Sequence, residues 1–239
     1  MIKRVLKTKH FNPESNLLIF SDPRGGSTWL SEILKSIPNT FVYWEPLHVN
    51  HNKEIKSMRF GWRQHIPAEA NWEEARRIFD RILSIELVND WLFQKTKLRE
   101  VQKGEVPIIK ICRGNSLLPW LVRQYQFKYK PVYLLRHPFA VAASQLKQGG
   151  WDEIPEKFEI PQMRFNEEYI KHKRFLKSLN TKAEVLVANW CMSNIHEESN
   201  NWITVFYVDM FEYPIEVMHA IFDVWGIDIS LNLHKRIYR

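Results

Sequence analysis

The stretch SDPRGGSTWLSEIL, residues 21–34, constrains the fold more than any other part of the chain. The apolar run NLLIF before it breaks at two adjacent glycines, Gly25 and Gly26. The pattern then resumes as Trp29, Leu30, Ile33, Leu34 and Ile37 at three- and four-residue spacing and stops at Pro38. This predicts a buried strand over 17–21, a turn that uses backbone conformations a Cβ resists, and a helix with a single apolar stripe. A purely structural turn would satisfy that pattern. So would an anion cradle, because a strand feeding a glycine-rich turn into a helix points free backbone N–H groups and the positive end of the helix dipole at one spot. Arg24 adds a permanent charge with forked donors, and Ser27 and Thr28 add hydroxyls. The nucleotide-hydrolase loop GxxxxGK[ST] is not met, since no lysine precedes Ser27 and only Asp22, Pro23 and Arg24 separate the strand from the glycines. Such a loop suits an anion held without a metal, and no metal site is expected.

The rest of the chain repeats the alternation. Short runs rich in β-branched and aromatic residues at 41–44, 108–112, 132–135 and 203–208 read as strands. Helical patterns fall at 71–88, 117–125, 139–146, 164–179, 183–197 and 215–225, and 50–67 reads as a long basic loop. Strands alternating with helices predict an α/β fold, a three-layer sandwich whose mainly parallel central sheet is flanked by helices. Without a repeat, a low-complexity tract or an obvious linker, residues 1–239 read as one domain. A composition that is 45% hydrophobic and 13% aromatic can bury the core of such a domain.

A second constellation, PVYLLRHPFAVAASQ, spans 131–145. A buried strand ends at Arg136, His-Pro stops it, and a helix follows that carries Ser144 eight positions after the arginine. If that helix starts near Phe139, Ser144 lies roughly 8 Å along its axis. Arg136 and Ser144 then suit a shared phosphate at the carboxyl end of the strand, where ligands of open α/β sheets bind. A solvent-paired arginine and a helix-surface serine would give the same letters.

Together, DPRGGSTW and RHPFAVAAS resemble the sulfotransferases that depend on 3′-phosphoadenosine 5′-phosphosulfate (PAPS). YWEPLH resembles the element after the first helix in carbohydrate sulfotransferases, IIKICR their central strand and FYVDMF their late strand, so the likeness runs from about residue 16 to 226. It leans toward the carbohydrate enzymes, because the RKGxxGxW-like segment of the cytosolic aryl and steroid type is absent. His137 also departs from the family pattern, which commonly has an acidic or amide residue after the arginine. Gly26 stands where many members carry a hydroxyl or another small residue.

The resemblance implies a P-loop-like loop, Arg24, Gly25, Gly26, Ser27, Thr28 and Trp29, that holds the 5′-phosphosulfate of PAPS, with Arg136 and Ser144 on the 3′-phosphate. It implies sulfuryl transfer to an acceptor hydroxyl with Arg24 at the leaving oxygen and Glu45, in YWEPLH, as base. Flanking Tyr43, Trp44 and Pro46 are expected to raise the Glu45 pKa by desolvation. His48 is the rival base, since an imidazole needs no tuning near neutral pH. A P-loop kinase or hydrolase and a non-catalytic anion-binding module stay open as alternatives.

Expected partners are a small-molecule or carbohydrate acceptor rather than nucleic acid. The net charge of +7 suits any anion, but the basic residues are scattered without a tail or long run. Trp29, Trp91, Trp120, Trp202 and Trp225 sit in apolar patterns that read as core, whereas Trp44, Trp62 and Trp151 are placed to line an acceptor pocket or flank the adenine. KQGGW, 147–151, reads as a mobile edge, and Lys110 either faces the cofactor or leaves the sheet edge. Two cysteines, no membrane span and no signal-peptide core predict a cytoplasmic protein.

Overall fold

A computed structural model describes residues 1–148 and 155–228. Five strands, β1 (Leu17–Ser21), β2 (Thr40–Trp44), β3 (Val106–Cys112), β4 (Val132–Leu135) and β5 (Ile203–Phe206), form one sheet in the order β2-β3-β1-β4-β5. Every pairing is parallel, with Leu17 beside Ile108, Ile19 beside Val132, Trp44 beside Lys110 and Leu135 beside Phe206.

Helices cover both faces, which is why the strands are continuous apolar runs. Side chains alternate along each strand and so divide the core. Leu18, Phe20, Ile109, Ile111 and Tyr133 pack with Phe79 and Ile82 of helix Glu73–Leu83 and Trp120 of helix Leu118–Gln124. Leu17, Ile19, Val42, Ile108 and Leu134 pack on the other side with Leu30 and Ile33 of helix Ser27–Leu34 and Met218 and Phe222 of helix Pro214–Trp225. The result is the expected three-layer sandwich. A smaller cluster of Phe158, Tyr169, Leu176, Val185 and Met192 surrounds helix Lys182–Ser193, which packs on helix Pro138–Gln148.

The chain leaves β1 toward β2 and leaves β4 toward β5. A crevice therefore opens at the carboxyl ends of β1 and β4, the strands that begin the two motifs.

Several elements differ from the sequence reading. β5 stops at Phe206, and FYVDMF turns into helix Tyr207–Glu212 instead of continuing as strand to 208. The helix expected over 71–88 is Glu73–Leu83, closed before Ile85, whose φ of 58° is incompatible with a continuing helix. The pattern at 164–179 splits at His172 into helices Glu167–Lys171 and Lys173–Leu176. The stretch 50–67 contains helix Lys53–Ser57, capped by the Asn52 side chain, and buries Phe60, Arg63, Gln64 and Ile66. Gly149, Gly150 and Trp151 lie outside the described residues. Among the described residues, no helix is long and apolar enough to cross a membrane.

Candidate active site

The loop after β1 turns its carbonyls inward. The Asp22 carbonyl accepts from the Gly25 N–H at 2.9 Å, the Pro23 carbonyl from Gln145 Nε2 at 2.9 Å, and the Arg24 carbonyl from Arg136 at 2.9 Å. With those acceptors engaged, the N–H groups of the first helical turn, which have no intrahelical partner, are left to face a ligand. Gly26 caps the helix with φ 102°, and a Cβ there would sit 2.4 Å from the Tyr207 ring. A Cβ on Gly25 would strike Ser21 Oγ at 2.1 Å. Packing thus requires glycine at both positions, and the left-handed backbone adds a second reason at Gly26 alone, so Gly25 does not bear out the expectation of a special backbone conformation.

The second motif closes on the first. Arg24 Nε donates to Ser144 Oγ at 3.1 Å, and Arg136 lies over the Tyr207 ring with its guanidinium carbon 4.6 Å from the centroid. Tyr207 in turn meets the Trp29 ring edge-on at 6.2 Å. Arg24, Arg136, Ser144, Trp29 and Tyr207 make one patch at the ends of β1, β4 and β5.

A cleft of about 1000 Å³ runs from this patch across the loop to the end of β2. There Glu45 accepts from Lys110 Nζ at 2.5 Å. The same ammonium donates to Cys112 Sγ at 3.3 Å and stands 3.7 Å from the centre of the Trp44 ring, while Ser27 Oγ lies 3.7 Å from that sulfur. The parallel register of β2 and β3 builds this contact by setting Trp44 beside Lys110. Lys110 is buried and faces the cleft, so of its two readings the sheet-edge one is excluded by β3 lying between β2 and β1.

Burial alone would raise the Glu45 pKa, as the sequence suggested, but the charge and hydrogen bond of Lys110, with Arg113 behind, hold it below the ordinary carboxylate range. The expectation of a raised pKa is therefore corrected. His48 also departs from its expectation. Burial, then the nearby Arg113 and His51, bring its imidazole down to about 4, so it is neutral and weakly basic at pH 7. Its Nδ1 is buried without a hydrogen-bond partner, and its ring packs among His51, Trp62 and Trp91.

Arg24, Gly26, Ser27, Thr28, Trp29, Glu45, His48 and Arg136 all line the cleft. Gly25 and Ser144 lie just behind it and act on its wall through the contacts above. Sequence reasoning missed Cys112, Arg113 and Tyr207 as lining residues and read Trp91, also on the wall, as core. Three lining residues that are not glycine have φ in the left-handed region: Arg24 at 70°, Glu45 at 42° and Arg113 at 62°. They follow the ends of β1, β2 and β3 respectively. Strained backbone concentrated at one set of strand ends marks a functional site. The position of Arg113, directly after the IIKIC strand, was the one available signal for it.

The sulfotransferase domain family matches residues 14–239, and the protein belongs to that family. It is a sulfotransferase, which decides against the kinase, hydrolase and non-catalytic alternatives. Its fold is similar to that of a sulfotransferase domain from the curacin biosynthetic pathway, with a TM-score of 0.51 at 18% identity over 93% of this chain and 77% of that one. A sulfotransferase domain of a Synechococcus olefin synthase aligns at TM-score 0.46 and 19% identity, over 96% of this chain and 79% of that one. A mouse sulfotransferase complexed with PAP aligns at 0.45 and 16%, over 100% and 67%. No curated protein matches the chain by sequence.

Proposed function

We propose that this sulfotransferase moves a sulfuryl group from PAPS to a hydroxyl of a carbohydrate or glycosylated small molecule, by metal-independent in-line transfer. The observation that carries the donor assignment is the junction of the two motifs, where Arg136 donates to the Arg24 carbonyl and Arg24 to Ser144. Two anion sites, one of loop N–H groups and one of arginine and serine, thereby share a wall and suit the two ends of a nucleotide with phosphates at 5′ and 3′. The inward carbonyls and the glycine cradle fit such a group, and Trp29 with Tyr207 offers aromatic surface between the sites.

PAPS supplies the activated sulfuryl group. The work left to the chain is positioning and charge stabilisation, as in phosphoryl transfer. Arg24, the loop N–H groups, Ser27 and Thr28 steady negative charge on the leaving side. Lys110 is the buried cation nearest Glu45 and joins them. Glu45 takes the acceptor proton onto a carboxylate that is ionised at neutral pH. Sharing the Lys110 charge with the leaving side returns basicity to Glu45. His48, neutral and embedded in aromatic rings, supports the acceptor instead of competing for its proton. The Trp44 and Trp91 rings beside a carboxylate support a sugar acceptor, whose ring carries both apolar C–H faces and hydroxyls.

Thermal melting tests the donor. Adenosine 3′,5′-bisphosphate at a hundred times its Kd stabilises by roughly 2.7 kcal/mol, and ATP and sulfate at the same concentration are expected to do much less. Equal stabilisation by ATP would remove the assignment.

A further inference from the structure

Asp22 is buried at 2% exposure, stands at the first position of the anion loop and does not line the cleft, so the proposed mechanism leaves its charge unused. Its carboxylate is enclosed by polar side chains. Oδ2 accepts from Asn115 Nδ2 at 3.1 Å and from Asn194 Nδ2 at 2.9 Å, and Oδ1 faces the guanidinium of Arg63 at 3.8 Å. Asn194 Oδ1 accepts in turn from Asn115 at 2.8 Å and from the Tyr133 hydroxyl at 2.6 Å. The main chain of the same aspartate closes the loop, because its carbonyl accepts from Gly25 N–H and from Ser21 Oγ.

Three segments supply the carboxylate's own partners, and a fourth, through Tyr133, braces Asn194. Asn115 opens the turn after β3, Tyr133 lies in β4, Asn194 ends helix Lys182–Ser193, and Arg63 belongs to the stretch between helices Lys53–Ser57 and Glu73–Leu83. A carboxylate is the side chain that can accept from two amides on one oxygen while facing a cation with the other. Burying it is costly, and a loop serving only as a turn has no use for that cost.

We propose that Asp22 is a positioning residue for sulfuryl-donor binding: its carboxylate clamps the root of the anion loop to these segments and so fixes the direction in which the N–H groups at 26–28 and the side chains of Arg24, Ser27 and Thr28 face the ligand. The proposal rests on the reading of this loop as the donor's anion site. It extends that reading, since no part of the donor needs to touch Asp22.

Removing the carboxylate separates positioning from stability. In Asp22→Ala the two amides still have partners, because Asn115 donates to Asn194 and Asn194 donates to the Trp190 carbonyl at 2.6 Å. Arg63 is left as a buried cation without its counter-charge, which destabilises the fold. Adding Arg63→Met removes that cation and leaves the clamp absent.

The test measures melting temperature and calorimetric affinity for pyrophosphate, which probes the loop alone, and for adenosine 3′,5′-bisphosphate, in the parent, Asp22→Ala and the double variant. Asp22→Ala is expected to melt lower and bind both probes more weakly. The double variant is expected to regain most of the lost melting temperature while binding pyrophosphate at least fivefold more weakly than the parent. A loss below fivefold, or a double variant that does not regain melting temperature, overturns the proposal. If Asp22→Ala does not fold, the affinity of the double variant alone decides. A parent that binds pyrophosphate but not the bisphosphate removes the donor assignment and leaves the clamp to be judged on pyrophosphate. A parent that binds neither overturns both.

Discussion

The two ends of the cleft are built by different means. At the β1–β4 end the ligand-facing groups are held by short, contiguous motifs, and much of the binding surface is backbone: loop N–H groups, a left-handed Gly26, and carbonyls locked inward by Arg136 and Gln145. At the β2–β3 end the surface is side chain, and it is assembled from segments far apart in the chain: Glu45 at the end of β2, Lys110 and Arg113 in and just after β3, and Trp91 from the stretch after helix Glu73–Leu83, with the β2–β3 register setting Glu45 against Lys110. The backbone-built end suits a ligand whose chemistry is constant, a phosphate or sulfate. The side-chain-built end can change with the acceptor while the first is left intact.

The sharpest way to separate the ends is Glu45→Gln, which keeps the size and the acceptor oxygen for Lys110 but cannot take a proton. Turnover is expected to fall by about 10³-fold or more, with bisphosphate affinity within a few-fold of the parent by calorimetry. Near-normal turnover would discard Glu45 as base. Lys110→Met comes next, with a loss of about 10²-fold in kcat and a change in pH profile. Lys110 holds the Glu45 pKa down against burial, so its removal raises that pKa and moves the acid limb of kcat to higher pH. An acid limb that stays in place would show that the pair is not coupled in turnover.

The donor end answers to other changes. Arg136→Ala is expected to weaken adenosine 3′,5′-bisphosphate by about tenfold or more, the worth of a charge-assisted contact, while leaving 5′-AMP much less affected. Equal losses for both nucleotides would move Arg136 away from the 3′-phosphate. Gly26→Ala places a Cβ against the Tyr207 ring at positive φ, and is expected to cost about 2 kcal/mol of stability in denaturant melts. The smallest effect is expected at His48→Gln. An imidazole whose pKa is already held at about 4 is a weak base whose removal costs little, so kcat should change by less than about fivefold and the acid limb should stay in place. A larger loss would restore His48 as the rival base.

The same contrast governs what could be read from the chain alone. Arg24, Gly25, Gly26, Ser27, Thr28, Arg136 and Ser144 were legible because strand, turn chemistry and helix follow one another within a few residues, and the parallel α/β sheet followed from the alternation of such units. Tyr207 was legible only as a strand residue, since nothing local announces that β5 ends one residue earlier and that a ring then covers Gly26. Glu45 was found, but not its ionisation state, because the cation that sets it lies on a neighbouring strand far along the chain. Asp22 and Arg63 were adjacent to noticed features and still unread. A buried carboxylate with partners on three distant segments leaves no spacing in the sequence. Left-handed φ at Arg24, Glu45 and Arg113 has no compositional signal either, since glycine is the residue that normally advertises it.

The most direct test of the bridged donor site is a crystal structure with adenosine 3′,5′-bisphosphate bound. The 5′-phosphate is expected within hydrogen-bond distance of the N–H groups at 26–28 and the 3′-phosphate on Arg136 and Ser144, with Glu45 facing the side from which the acceptor enters. A nucleotide whose 3′-phosphate lies away from Arg136, or which occupies another surface altogether, would contradict it.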